Sequence, residues 1–296
     1  MDLNQLRIFS VIAKEGTLTR AASVLCLSQP AVSAQLKALE ESFNLKLFDR
    51  TPRGMALTSA GHALLEEATR ALVAASNVAT MARHFVSQGV SGVFKIGTIV
   101  NTKMLRLSNL ITLLVEKHPN VQLSFSQGIS GDIMDRICTG EINAGYMIGL
   151  PTDVRVTAIR VAPMTLRVVA PPTLRDTIAK ATWQDIVQLP WLSTPAKCSF
   201  RSISARMFAR HQVRPRVVIE ADQEMMLSDL VSQGIGLTLL REDVASAGEA
   251  AGKLCIWEPG IEFEHLYFVY LNNQANSPIM QAVIPMLRQI WSLDAP

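Results

Sequence analysis

Nowhere in the 296 residues does an uninterrupted apolar run approach the ~18 residues that a membrane-spanning helix needs. The opening MDLNQLRIF also lacks a basic stretch followed by an apolar core, so no export signal is read there. Cysteine is scarce and scattered. Cys26, Cys138, Cys198 and Cys255 form no C-x-x-C pair, which argues against a disulfide framework or a thiolate zinc site and fits a reducing cytoplasm. Charge is thin as well: Asp, Glu, Lys and Arg make up 18% of the chain, where about 25% is usual. The 28 basic and 25 acidic residues leave a net charge of +3, too even a balance to announce a nucleic-acid partner on its own. Catalytic signatures are missing. The five histidines, His62, His84, His118, His211 and His265, show no metal-binding spacing, Gly128-Ile129-Ser130-Gly131 is not a nucleophile elbow, and Gly234-Ile235-Gly236 lacks the third glycine of a dinucleotide loop. No catalytic residue, metal ligand or cofactor is therefore assigned.

What is present is an apolar fraction of 49% and a mean hydropathy of +0.23, high for a surface exposed all round and suggestive of subunit interfaces. At roughly 100 to 200 residues per domain, the length suggests about two domains. The first 57 residues read as short helices. Leu3, Leu6, Phe9 and Ala13 recur at helical spacing, Gly16 suits a left-handed cap, and Thr17 can cap a second helix over about Leu18 to Leu25. Ser28-Gln29-Pro30 is a third helix start, because serine accepts a bond from an orphan amide and proline loses nothing in the first turn. Two helices so joined form a helix-turn-helix, in which the small Ala31, Ser33 and Ala34 would let the second helix approach base edges in a major groove. An ordinary helical hairpin is the alternative. Leu45 to Leu57 then read as two short strands around a basic turn, Asp49-Arg50-Thr51-Pro52-Arg53-Gly54, where Arg50 and Arg53 could reach phosphates or a minor groove, or could equally be a solvated turn.

From Thr58 to about Ser87 there is no proline, and Leu65, Leu72, Ala75, Ala79, Ala82 and Val86 keep helical spacing. A helix of that length would extend roughly 45 Å, too far to bury itself on so small a domain, so a partner helix from a second subunit is expected. Beyond Gly89, Ser91 and Gly92, strands and helices alternate, which implies a parallel-rich sheet covered by helices. The segments Ile133 to Ile148 and Met226 to Leu240 both run helix, glycine, strand, and two similar lobes would make a cleft between them.

Taken together, Leu6-x-x-Phe9, Gly16-Thr17, Ala21-Ala22, Leu25, Ser28-Gln29-Pro30-Ala31-x-Ser33, Leu39-Glu40, Leu47-Phe48-x-Arg50 and Leu57-Thr58-x-Ala60-Gly61 resemble the LysR-type transcriptional regulators, densely over residues 1 to about 66 and in layout thereafter. The resemblance implies an α+β multidomain chain: a winged helix-turn-helix over 1–58, a dimerising linker helix over 59–88, and a two-lobed α/β sensor over 92–296 similar to type 2 periplasmic binding proteins. Lobe I is expected at about 92–162 and 267–296, lobe II at about 163–266. It further implies double-stranded DNA, a small-molecule effector and RNA polymerase as partners, and a homodimer or homotetramer acting in the cytoplasm. Gln29, Pro30, Ser33, Arg50 and Arg53 are the expected DNA contacts. The family often carries Arg or Thr after Ser33, and Ala34 here would restrict that position to a thymine methyl contact.

Effector contacts are expected from Thr98, Asn101 and Thr102, where the first sensor strand is expected to enter a helix whose amides would attract an anion or carboxylate. Ser130, at the start of another helix, and Ser199, Arg201 and Ser202 complete the set, with helix capping as the alternative role for each hydroxyl. Cys198 lies where peroxide-sensing members of the family hold a reactive cysteine, which raises redox sensing as an alternative, though no cysteine follows closely to resolve a sulfenic acid.

Overall fold

The computed structural model describes the backbone of residues 1–52, 54–86, 89–99 and 103–293, and their side chains apart from positions 77, 80, 81 and 83–86. The chain divides into two compact units, one built on Met1–Gly92 and one on Val93–Cys138 with Ile142–Pro296.

The first unit starts with α1 (Leu3–Glu15), opened by a capping box in which Asp2 and Gln5 exchange side-chain and backbone bonds. Its buried stripe is Leu6, Ile8, Phe9 and Ile12; Leu3, in the first turn, is exposed, and Ala13 sits at the edge of the core. Gly16 then takes φ +71° and Thr17 caps α2 (Leu18–Leu25). After a left-handed Cys26, Ser28 Oγ accepts from the amide of Ala31 at 3.3 Å and α3 runs Gln29–Phe43. A hairpin follows, β1 (Phe48–Thr51) against β2 (Gly54–Leu57) in antiparallel register. Its root is buried, with Phe48 edge-on to Phe9 at 5.6 Å between ring centroids, beside Leu39 and Leu47. The long helix α4 spans Ser59–Val86.

The second unit contains, in chain order, β3 (Gly92–Thr98), α5 (Leu107–Lys117), β4 (Val121–Gln127), α6 (Ser130–Cys138), β5 (Ala144–Ile148), β6 (Val156–Ala170), α7 (Arg175–Ile178), α8 (Trp183–Ile186), β7 (Pro190–Ser193), α9 (Ser199–Arg210), β8 (Arg216–Glu220), α10 (Glu224–Ser232), β9 (Thr238–Arg241), α11 (Glu242–Ala250), β10 (Cys255–Leu271) and α12 (Pro278–Trp291). Six strands form one sheet in the order β4-β3-β5-β10-β6-β9, and the parallel pair β7-β8 meets the start of β9 through a bridge between Trp191 and Leu237.

The expectation of a parallel-rich sheet is corrected. β3 and β5 are parallel, but β10 is antiparallel to both β5 and β6, and β6 is antiparallel to β9. The cause is the length of β6 and β10, 15 and 17 residues: the chain leaves the first lobe along β6 and returns along β10, so the two lie side by side in opposite senses. Pro163 faces His265 in that ladder. Each lobe has its own apolar core, Ile133, Ile137, Ile142 and Met147 in one, Leu192, Leu227, Val231 and Leu240 in the other. Among the described residues, no helix is long and apolar enough to cross a membrane, and no group of side chains has the makings of a metal site.

Candidate nucleic-acid surface and ligand cleft

The first turn of α3 is where the chain presents side chains rather than burying them. Val32, Leu36 and Leu39 anchor the helix in the core, which turns Gln29, Pro30 and Ala34 outward and leaves Ser33 half-buried beside them. The hydroxyl of Thr19, on α2, donates to Gln29 Oε1 at 3.3 Å. A carbonyl oxygen has two lone pairs, so this contact leaves Gln29 one acceptor site and both amide hydrogens without a bond among the described residues. Thr19 carries no motif signal in the sequence; only the packing of α2 on α3 brings it there.

The hairpin is tied to the helices at two points. Glu40 Oε1 accepts from the amides of Leu47 at 2.7 Å and Phe48 at 3.3 Å, and the amide of Met55 donates to the Gly16 carbonyl at 2.8 Å. These bonds set where Arg50, exposed on β1, stands relative to α3. Arg53 lies outside the described residues.

Between the lobes of the second unit is a narrow groove of about 50 Å³, lined among others by Ile99, Ser130, Ile148, Thr194, Ser199 and Glu224. That is far below the roughly 300–1,000 Å³ of pockets that hold drug-sized ligands, so the groove is too narrow for a metabolite as it stands. The closure has named bonds. Ser199 Oγ donates to the Ile148 carbonyl at 2.5 Å and the Gly131 amide donates to the Lys197 carbonyl at 2.9 Å, both across the groove, while Ser130 Oγ accepts from the Ile148 amide at 3.3 Å on the first lobe's own side. Lys197 adds a surface pair to Asp135 at 2.6 Å, and the carboxylate beside it holds the ammonium above its ordinary pKa.

The structure thus brings Ser130 and Ser199 together on one residue, Ile148, and separates the rest of the expected set. Thr98 is buried with its hydroxyl 3.4 Å from the Ser126 carbonyl of β4, inside the sheet edge rather than in the groove. Ser202 is exposed and bonds back to the Ser199 carbonyl, one turn behind it. Arg201 turns to the far side of α9, where its Nη1 donates to Ser193 Oγ at 2.5 Å. Asn101 and Thr102 lie outside the described residues, and the helix expected to begin there starts at Leu107, after a turn over 103–106 that ends on a left-handed Arg106. Helix periodicity alone could not separate these serines, because the direction each faces depends on which strand packs beneath it.

Glu224, not among the expected residues, also lines the groove. Its Oε1 accepts from the Arg241 amide at 2.8 Å and its Oε2 lies 3.3 Å from Arg241 Nε; burial raises the carboxyl above its ordinary pKa, against the pull of that guanidinium. Cys198 caps the approach to α9, and burial pushes its thiol up despite the nearby Thr194 hydroxyl and the amides of Phe200 and Arg201. A sensor thiol needs the reverse, a depressed pKa that supplies thiolate. Cys138 is pushed up to about 11 by burial and by its contact with Asp153.

Comparison with known proteins agrees with these features. Residues 3–62 match the family described as bacterial regulatory helix-turn-helix protein, lysR family, and residues 87–292 match the LysR substrate binding domain. Among curated proteins the chain is similar to the HTH-type transcriptional regulator BbuR of Bordetella bronchiseptica, 27% identical with 86% of this chain and 78% of that protein covered. It is also similar to the HTH-type transcriptional regulator CbbR of Rhodospirillum rubrum, 26% identical with 97% and 95% covered. Two solved structures share its fold: a full-length OxyR variant from Pseudomonas aeruginosa, TM-score 0.67 and 19% identity over 100% of this chain and 99% of that one, and CbnR complexed with its target DNA, TM-score 0.60 and 20% identity over 98% and 100%.

Proposed function

Because the chain belongs to the LysR family of DNA-binding transcriptional regulators with an effector-binding domain, we propose that it reads promoter DNA through α3 and the β1-β2 wing and answers to a small molecule held between its two sensor lobes. The observation that carries the DNA reading is the outward first turn of α3 with Gln29 held by Thr19. Gln29 and Ser33 take the base edges, Pro30 packs on bases or sugars, and Arg50 and Arg53 take the backbone or a minor groove. In this reading the winged domain is 1–58, the linker helix 59–88 and the sensor 92–296, with lobe I at about 92–162 and 267–296 and lobe II at about 163–266. Leu72 still packs on the first unit's core, whereas farther along α4 Ala75 is half-buried and Val78 is exposed, apolar positions that a second α4 would cover in a homodimer, with two dimers making a homotetramer. Cytoplasmic action beside RNA polymerase follows from a promoter-bound protein.

The effector enters only if the lobes part, since the groove is closed by the Ser199 bond to Ile148. A ligand acceptor such as a carboxylate oxygen would take the place of the Ile148 carbonyl on Ser199, so binding and opening are the same event. Ser130 and Thr194 would complete the contacts.

Selection of fragmented genomic DNA by the purified full-length protein tests the reading: enriched dyad sites with half-sites about one helical turn apart, or a multiple of it, are expected. Absence of enrichment with and without cell metabolites would overturn it. On the selected site, Gln29→Ala is expected to lose about 1–3 kcal/mol of specific binding and to narrow the gap to nonspecific DNA. Thr19→Val should lose a smaller part of the same gap. A titration at fixed salt in which both variants keep the wild-type specificity ratio removes Gln29 from the reading set.

A further inference from the structure

We propose that lobe II carries a second ligand site, separate from the groove between the lobes, that takes an apolar aromatic carboxylate. A cavity of about 640 Å³ lies between α9 and the strands β7, β8 and β9. That volume falls in the range of drug-sized ligand pockets, roughly 300–1,000 Å³, and is far larger than the closed interlobe groove. Its walls are Trp191, Phe200, Phe208, Val217 and Leu239. They are held firmly: the Trp191 indole N–H donates to the Ile186 carbonyl at 2.9 Å, and its ring meets Phe208 edge-on at 4.8 Å. A rigid aromatic wall of this kind favours a flat apolar body.

The polar groups of the cavity specify the rest of the ligand. Two arginines, Arg201 and Arg214, line it, and no acidic side chain does. Neither has an acidic partner among the described residues; Arg201, half-buried, rests only on the Ser193 hydroxyl. A guanidinium with no counter-charge keeps donors that an anion can take up in bidentate bonds. Thr194, buried at the edge of the cavity, turns its hydroxyl to the Cys198 thiol, which lines the groove.

Thr194 and Phe200 line both the cavity and the interlobe groove, and Ser199, which holds Ile148, is the residue next to Phe200. Filling the cavity therefore bears on the first turn of α9, the element that closes the groove. The lobe II site is a second input to the same sensor, and its existence does not depend on how the protein reads DNA.

Isothermal titration calorimetry of the full-length protein with naphthalene-2-carboxylate tests the site. The wild type should bind the probe, and naphthalene-2-methanol, which lacks the charge, should bind at least tenfold more weakly. Ala205→Trp fills the cavity from an exposed position on α9, and Arg201→Met removes the cation at similar length; each should weaken the carboxylate at least tenfold. Ile99→Trp, in the interlobe groove, should leave its affinity within twofold. Thermal melts establish that each variant is folded, and Arg201→Met carries the test if Ala205→Trp is not. Loss of binding in Ile99→Trp with retention in Ala205→Trp would place the probe in the groove and overturn the proposal. Equal affinity in every variant, or no heat at millimolar probe, overturns it too. So does a change of sedimentation in Ala205→Trp without probe binding, which would make the cavity a contact between copies of the chain.

Discussion

Arg241→Met should destabilise the sensor by about 3–5 kcal/mol, because removing one partner of a buried ion pair leaves the other charge uncompensated. Arg241 is 3% exposed. Its Nε stands 3.3 Å from Glu224 Oε2 and 3.1 Å from Asp243 Oδ1, and its Nη1 stands 2.9 Å from the sulfur of Met104. Methionine fills similar space but leaves Glu224, whose side chain is 15% exposed, facing Asp243 with no cation between them. The variant should also acquire a pH signature. Burial already raises the Glu224 carboxyl above its ordinary value of 4.5, and Arg241 opposes that rise. Without Arg241 the folded-state pKa climbs further, so between the ordinary value and the raised one the folded state binds more protons than the unfolded state. Stability then falls as pH rises through that window and recovers on acidification. Urea unfolding of wild type and variant at neutral and mildly acidic pH measures both effects. A variant as stable as wild type at neutral pH would show that the cluster carries no net charge interaction.

Gly54→Ala in the wing should cost about 2–4 kcal/mol, combining a strained backbone at ~1–3 kcal/mol with a lost hydrogen bond at ~0.5–1.5 kcal/mol. Gly54 has φ +129°, and a Cβ there would lie 2.3 Å from the Gly16 carbonyl oxygen, the same oxygen that accepts from the Met55 amide at 2.8 Å. Backbone meets backbone at this point, so no side chain can move aside. The wing must detach from the α1-α2 turn, and Arg50 with it, so DNA affinity should fall along with stability. Gly16→Ala is the graded comparison. At φ +71° nothing lies within 4 Å of its Cβ, leaving only the left-handed backbone penalty of about 1 kcal/mol. Denaturation of the two variants with a shared target site present and absent orders them; equal costs would mean that contact with Gly16 does not hold the wing.

The helix starts and stops of the first unit could be read in advance because each is written within a few residues: Gly16 and Thr17 around one turn, Ser28 and Pro30 at the next start, the apolar stripes inside the helices they belong to. Caps and periodicity act over one or two turns of backbone, and a linear string preserves that neighbourhood. The exposed first turn of α3 inherits this, since a buried Val32, Leu36 and Leu39 leave Gln29 and Pro30 no direction but outward.

The sensor is another matter. Ser199 meets Ile148 across 51 positions and Arg241 meets Glu224 across 17, while Thr98, Arg201 and Ser202, alike in type to the residues that do meet in the groove, face a sheet edge, a second cavity and solvent. The antiparallel middle of the sheet arises from two long strands crossing between lobes, a property of where the chain turns back rather than of any local pattern. Hydroxyls and guanidinium groups are satisfied by whatever the fold brings within about 3 Å, so their roles emerge after strands far apart in the chain have paired, whereas a helix cap finds its partner before the chain has folded at all.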